Sequence, residues 1–260
     1  ADSVYIIVYP KALLSSATEY KNYRAFNFYG GQHRVIMADI DELYDQFAYG
    51  IVKSPLSVKN FSNYLINIYP TPPNNLLLLG KSLHMTFCRT NTGSYANNLV
   101  PSFGNPSCDG LFTVGLNGST YESGIPTGRI AAKTNNQVLL YLNKVKDYEN
   151  QLNNPPAEWK KRAMHFGGGR TNVEQQSFKS YLNRYKDTLE GIYFGGSVSS
   201  YFKTSSEPIQ INTTEEIRQQ INDGISLMTF FGHASGLGFD QSIDDINSYN
   251  PFPGRYPLML

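Results

Sequence analysis

Apolar residues along this chain fall into short runs separated by segments of helical period, the alternation that builds a parallel α/β sheet. Val4-Tyr5-Ile6-Ile7-Val8-Tyr9 is β-branched and aromatic and is closed by Pro10, which predicts a first, central strand. Residues 15–28 follow with helical spacing and meet Gly30-Gly31, and Arg34-Val35-Ile36-Met37 predicts a second strand. A short helix is expected from Asp39 to Phe47. Another starts at Pro55, carries Val58, Phe61, Leu65 and Ile68 on one face, and stops before Pro70. Leu76-Leu77-Leu78-Leu79-Gly80 predicts a third buried strand leading to Lys81 and Ser82. From His84 to Gly128 the rhythm fails; Met85 to Cys88 reads as a strand and the remainder as functional loops or small hairpins. Ile125 to Ile130 returns to a strand. Thr134 then caps a helix through Glu149 that buries Val138, Leu142, Val145 and Tyr148.

Pro155-Pro156 ends that helix and marks a boundary between two subdomains, residues 1–153 and 157–260. The pattern then repeats. Arg162 to Phe166 is a strand running into Gly167-Gly168-Gly169, Asn172 to Lys186 a helix, Val198 to Phe202 a strand, and Thr213 or Thr214 to Asn222 a helix. Ile225, Leu227, Met228, Phe230 and Phe231 form an apolar run expected to be buried on both sheet faces. A loop with Asp240, Asp244 and Asp245 follows, and Tyr256 to Leu260 looks like the opening of one more strand, so the second subdomain is expected to be incomplete. The prediction is a parallel, doubly wound α/β sheet with right-handed crossovers.

Composition narrows the function classes. With 260 residues, 40% of them hydrophobic, the chain can bury a sizeable core. Lys plus Arg number 22 against 21 for Asp plus Glu, and this net charge of +1 gives no long-range pull toward nucleic acid or anionic lipid. No apolar run approaches the roughly 20 residues that cross a bilayer. Abundant Tyr, Phe and Asn with few charges suit a secreted or cell-surface protein. Cys88 and Cys108 are too few for a disulfide framework, and the four histidines show neither HxH nor HExxH. No cofactor or metal is implied, and a structural calcium site is not encoded in any readable spacing.

The chemistry concentrates at His233. It directly follows the apolar run, flanked by Gly232, Ala234, Ser235 and Gly236, where open α/β sheets place ligand and catalytic groups. Lys81 and Ser82 are expected at the same edge. The plainer alternative is a histidine that bonds a loop carbonyl or packs on an aromatic ring. Gly167-Gly168-Gly169 lies between a strand and a helix, where a phosphate could sit, but lacks the GxGxxG spacing; a flexible loop beside the active edge is the better expectation. Gly80-Lys81-Ser82 is not a P-loop, because Asn75 stands where its first glycine belongs. Cys88 and Cys108 are both open as nucleophiles for His233, Cys88 reading rather as a small buried hydrophobe and Cys108 as more exposed. Asp109 and Arg129 read as a structural ion pair or turn residues, and no GxSxG elbow is present.

DIDELYDQFAYG at 39–50, VPSFGNPSCDG at 100–110, IPTGRIAA at 125–132, YLNKVKDYE at 141–149 and INDGISLMTFFGHAS at 221–235 occur in this order, together with Val4–Tyr9 and Leu76–Gly80. The set resembles gingipain-type cysteine peptidases, especially the sortase-like members of the type IX secretion system. The resemblance implies a caspase-like α/β fold and a Cys/His dyad, with His233 as the histidine and Gly232 and Ala234 as oxyanion or loop support. It places the cysteine shortly beyond Leu260, so that residues 1–260 alone should be inactive. It implies protein or peptide substrates, an extracytoplasmic location at the cell surface or outer membrane, and association with outer-membrane secretion machinery. The family's acidic residue supporting the histidine falls in the loop that is here Gly167-Gly168-Gly169, which predicts a histidine without that orienter. Lys81 stands where the third strand's loop is usually acidic. A catalytically silent relative acting as a binding or assembly module is the second reading.

Overall fold

The computed structural model describes residues 4–26, 31–152, 158–212, 215–235, 238–243 and 246–260. Gly30, Pro155, Pro156, Thr213, Thr214, Gly236, Asp244 and Asp245, singled out above, lie outside the described residues. The chain divides into two compact units, Ala1–Asn143 and Lys144–Leu260.

In the first unit the elements run β1 (Val4–Tyr9), α1 (Leu14–Phe26), β2 (Arg34–Asp39), α2 (Ile40–Phe47), α3 (Leu56–Ile68), β3 (Asn75–Leu79), α4 (Met85–Thr90), β4 (Thr127–Ile130) and α5 (Asn135–Leu152), the last crossing into the second unit. The strands are parallel in the order β2-β1-β3-β4. Side-chain alternation along a strand divides the core between two faces. Ile6, Val8, Leu76 and Leu78 meet α2 and α3 on one face, while Ile7, Leu77 and Leu79 meet α1 and α5 on the other. Asp39 caps α2 by accepting from the Asp41 N–H at 2.9 Å. Of the face expected on α5, Val138 and Leu142 are buried, but Tyr148 is 38% exposed, its ring edge-on to Trp159.

The loop from Gly80 to Pro126 departs from expectation in one place. Met85 to Cys88 is the start of helix α4, not a strand, because the His84 ring nitrogen Nδ1 accepts from the Thr86 N–H at 3.3 Å and caps a helical turn. The same turn buries Cys88, as a small hydrophobe would be. The expected ion pair of Arg129 and Asp109 is present and ties the loop down. Arg129 donates to both carboxylate oxygens of Asp109 at 2.8 and 2.7 Å, and to the carbonyls of Gly80, Val100 and Pro101 at 2.8 to 2.9 Å.

The second unit contains β5 (Arg162–Gly167), α6 (Asn172–Glu190), β6 (Ser197–Phe202), β7 (Gln210–Asn212), α7 (Glu215–Asp223), β8 (Leu227–Phe231), β9 (Ala234–Ser235), β10 (Gly238–Phe239), β11 (Gln241–Ile243) and β12 (Leu258–Met259). Its main sheet is parallel in the order β12-β8-β5-β6. Met164, Phe166 and Met228 pack with Ile217 and Ile221 of α7 on one face. Gly167 faces Leu182 of α6 on the other. This is the doubly wound arrangement read from the sequence, but as two separate four-stranded sheets. Lys81 therefore follows a strand of the first unit and His233 a strand of the second, and the single edge expected to hold both is not formed. In β8 only Met228 is fully buried, whereas Leu227, Thr229, Phe230 and Phe231 are half-buried, so the run is less enclosed than its hydrophobicity suggests.

Candidate active site

From β5 the chain crosses through α6 to β6 on one side, then returns through α7 to β8 on the other. The carboxyl ends of β5 and β8 are therefore followed by connections that diverge, leaving the kind of crevice in which open α/β sheets hold ligands. Gly168, Gly169 and His233 lie at that point.

His233 is half-buried, its side chain 36% exposed. Its Nε2 stands 3.3 Å from Oε2 of Glu174, in the first turn of α6, and its ring lies 5.9 Å from that of Phe178 one turn further on. Thr171 caps α6 through a reciprocal box. Its hydroxyl accepts from the Glu174 N–H at 3.2 Å, while Glu174 Oε2 reaches back to the N–H groups of Arg170 at 2.7 Å and Thr171 at 3.4 Å. The Arg170 N–H is the main cause holding the Glu174 carboxyl below its ordinary range; desolvation opposes it, and the contacts with His233 and the Thr171 N–H add to it. An ionised Glu174 orients an Nε2–H tautomer and leaves the lone pair on Nδ1.

The triple glycine does not leave His233 without a carboxylate. Glu174 stands a few residues on, in the next helix, correcting the expectation of an unsupported histidine. The signal was present as Thr171-x-x-Glu174, a capping box by spacing, but nothing local says that its carboxylate also meets a histidine 59 residues away.

Next to the His233 backbone, Asp240 is only 5% exposed. Its Oδ1 accepts from the His233 N–H at 3.1 Å and its Oδ2 from the Gly169 N–H at 2.8 Å. Two glycines make room for it, since a Cβ at either Gly168 or Gly232 would run into its carboxylate. The glycine loop is thus closely packed. Its amides are also spent: Gly168 donates to Phe231 O, Gly169 to Asp240 and Arg170 to Glu174, leaving none of the three to cradle a phosphate.

A cleft of about 330 Å³ opens beside the imidazole, lined by Arg170, Pro208, Ile209, His233, Ala234 and Asp240 among others. Ala234 stands in β9, paired with Phe239 of β10, so the His233 loop is a short hairpin. Gly232 sits against Gly168 and the Asp240 carboxylate, and its contribution is to loop packing. Neither cysteine lines this cleft; both belong to the first unit, Cys88 buried and Cys108 exposed. A second hollow of similar size lies at the amino ends of β5 and β6, but its Ser199 hydroxyl is engaged by Gln220 at 2.8 Å. Among the described residues no group of three or more His, Cys, Asp or Glu could hold a metal ion, and no helix is long and apolar enough to cross a membrane.

Residues 1–260 match the profile of peptidase family C25 along their whole length. No curated protein sequence matches. Among solved structures, the crystal structure of the Arg-specific cysteine proteinase gingipain R is similar over 93% of this chain and 50% of its own, with a TM-score of 0.56 at 13% identity. A complex of Porphyromonas gingivalis RgpB pro- and mature domains is similar over 92% and 50%, with a TM-score of 0.57 at 15% identity. A further protease structure gives 90% and 46%, with a TM-score of 0.59 at 15% identity. At such identities the likeness is one of fold, the caspase-like α/β architecture. The chain spans about half the length of each structure it matches.

Proposed function

As a member of peptidase family C25, the chain contributes, we propose, the histidine half of a Cys/His site that cleaves peptide bonds in secreted or surface proteins, the thiol coming from outside residues 1–260. The observation that carries this reading is the His233 imidazole, half-exposed at a topological switch point and braced by Glu174. The direction of β12 supports it. β12 runs parallel to β8, with Leu258 opposite Leu227, and the pairing extends to Leu260, whose carbonyl accepts from the Phe230 N–H at 2.7 Å. Chain continuing in that direction reaches the edge where His233 stands.

In this reading Nδ1 of His233 takes the thiol proton, and Glu174 stabilises the imidazolium that results. The thiolate attacks the scissile carbonyl, Gly232 and Ala234 shaping the loop beside the developing oxyanion. The imidazolium then protonates the leaving amine. Water releases the acyl group as hydrolysis, whereas an amine acceptor gives the transpeptidation of a sortase-like member. Residues 1–260 alone lack the nucleophile and are inactive. Family resemblance supports an extracytoplasmic location and an association with type IX secretion machinery. The 3.3 Å approach of Glu174 to His233 Nε2 supports the peptidase reading over that of a silent binding module.

A thiol-directed peptide probe applied to the full-length protein tests the proposal. Labelling is expected in the wild type and lost in His233→Ala. Undiminished labelling of a folded His233→Ala protein, or labelling of residues 1–260 alone, would overturn it.

A further inference from the structure

The Cys/His chemistry gives Asp240 no role, yet it is far more enclosed than the side chains of His233 and Glu174. Both of its oxygens are occupied by backbone N–H groups from different strand ends, Gly169 after β5 and His233 after β8. Its own backbone closes the hairpin, donating to His233 O at 2.8 Å and accepting from the Gln210 N–H at 2.9 Å. Gly168 and Gly232, just past the neighbouring strands β5 and β8, lack the side chains that would expel it, and Gly232 is so close that its Cβ would also stand 3.1 Å from Gly168 Cα. A carboxylate is costly to bury unless its lone pairs are met, so the site has been built around it.

The two N–H groups it holds belong to the two segments that must meet. Gly169 leads through Arg170 and Thr171 into α6, which carries Glu174, and His233 carries the imidazole. We infer that Asp240 is a positioning residue that fixes the distance between Glu174 and His233 by clasping the strand ends from which they are suspended. It acts through the backbone, since neither oxygen is directed to the ring. An Asn at 240 keeps one acceptor but turns an NH₂ group toward a backbone N–H, so one side of the clasp is repelled while the volume is unchanged. A displacement of about 1 Å in such a pair is enough to cost roughly 100-fold in rate.

The catalytic consequence rests on the peptidase reading, whereas the positioning does not, and the experiment separates them. In the full-length protein the ¹⁵N shift of His233 Nε2 is measured at fixed pH with Glu174 intact and with Glu174→Gln, in the wild-type, Asp240→Asn and Gly232→Ala backgrounds. The kcat and KM for a peptide substrate are measured alongside. In the wild type, Glu174→Gln is expected to move the Nε2 resonance. In Asp240→Asn that response should fall by more than half, with kcat reduced about 10- to 100-fold and KM little changed. Gly232→Ala leaves Asp240 in place but pushes its carboxylate away, and should reproduce both effects; it also decides the matter should Asp240→Asn not fold. Loss of the Nε2 response without turnover in any protein would uphold the positioning role and sink the peptidase reading. An undiminished Nε2 response in folded Asp240→Asn or Gly232→Ala, or turnover within twofold of wild type, would overturn the role assigned to Asp240.

Discussion

Arg129→Met should destabilise the first unit by about 3 kcal/mol. The guanidinium has five N–H donors, and all five are used: two on the carboxylate of Asp109 and three on the carbonyls of Gly80, Val100 and Pro101. These partners mark the start, middle and later reaches of the loop between β3 and β4, so one side chain of β4 holds three stretches of it. Methionine fills much of the same volume, which keeps the cavity contribution small and isolates the polar loss. Breaking a buried ion pair from one side costs roughly 3–5 kcal/mol. The lower end applies because Asp109 is 26% exposed and water can reach its carboxylate. Asp109→Asn alone should cost less, about 1–2 kcal/mol, since Arg129 keeps its three carbonyls. The double variant should fall short of the sum by about 1–2 kcal/mol, because the stranded carboxylate is then absent. The only tryptophan, Trp159, lies in the second unit, so its fluorescence is not placed to report a local loosening of this loop. Denaturant-dependent hydrogen exchange at the β3 amides does. A change below about 1 kcal/mol in Arg129→Met would refute the view that this fork anchors the loop.

Other consequences can be checked separately. Glu174→Gln keeps an acceptor for the Arg170 and Thr171 N–H groups, so exchange protection at the start of α6 should persist while probe labelling falls about tenfold; Glu174→Ala should lose both. Equal labelling by Glu174→Gln and wild type would remove Glu174 from the site. His165 is 1% exposed in β5, and burial holds it below its ordinary 6.5. Between that depressed value and 6.5 the unfolded chain carries a proton that the folded chain lacks, so stability is lost as pH falls through this window. The Trp159-monitored urea midpoint should therefore depend less on pH, over roughly 7.5 to 5, in His165→Leu than in wild type, and an unchanged dependence would contradict this. Gly168→Ala, whose Cβ meets the Asp240 carboxylate, should destabilise the second unit by about 1–3 kcal/mol in the same assay, and a neutral result would show that the clasp yields.

Most of the secondary structure and the place of the key histidine are legible in the order of residues alone. Side-chain direction along a strand or helix is a local property, so the runs at Val4–Tyr9, Leu76–Leu79 and Arg162–Phe166 and the helical spacing of residues 56–68 are visible without partners. A glycine-flanked histidine after an apolar run is equally local, and so is the Thr171 capping box. Met85 to Cys88 shows the limit of such reading: four residues alternate as a strand would, and the His84 ring that makes them helical gives no periodic signal.

Which groups the polar residues meet was decided by the packing of the elements. Glu174 looks like a helix cap and Asp240 like one more acid in a loop rich in them. Each meets its partner because β8 lies beside β5 rather than beside β6, which brings the starts of two diverging connections together. Strand order is set by how whole faces are buried, a quantity summed over many residues far apart in the chain. That Lys81 and His233 belong to different sheets was hidden for the same reason. A pairing between positions 174 and 233, or 169 and 240, leaves no local trace, because hydrogen bonds between distant residues are fixed by where the backbone returns and not by the neighbours of either residue.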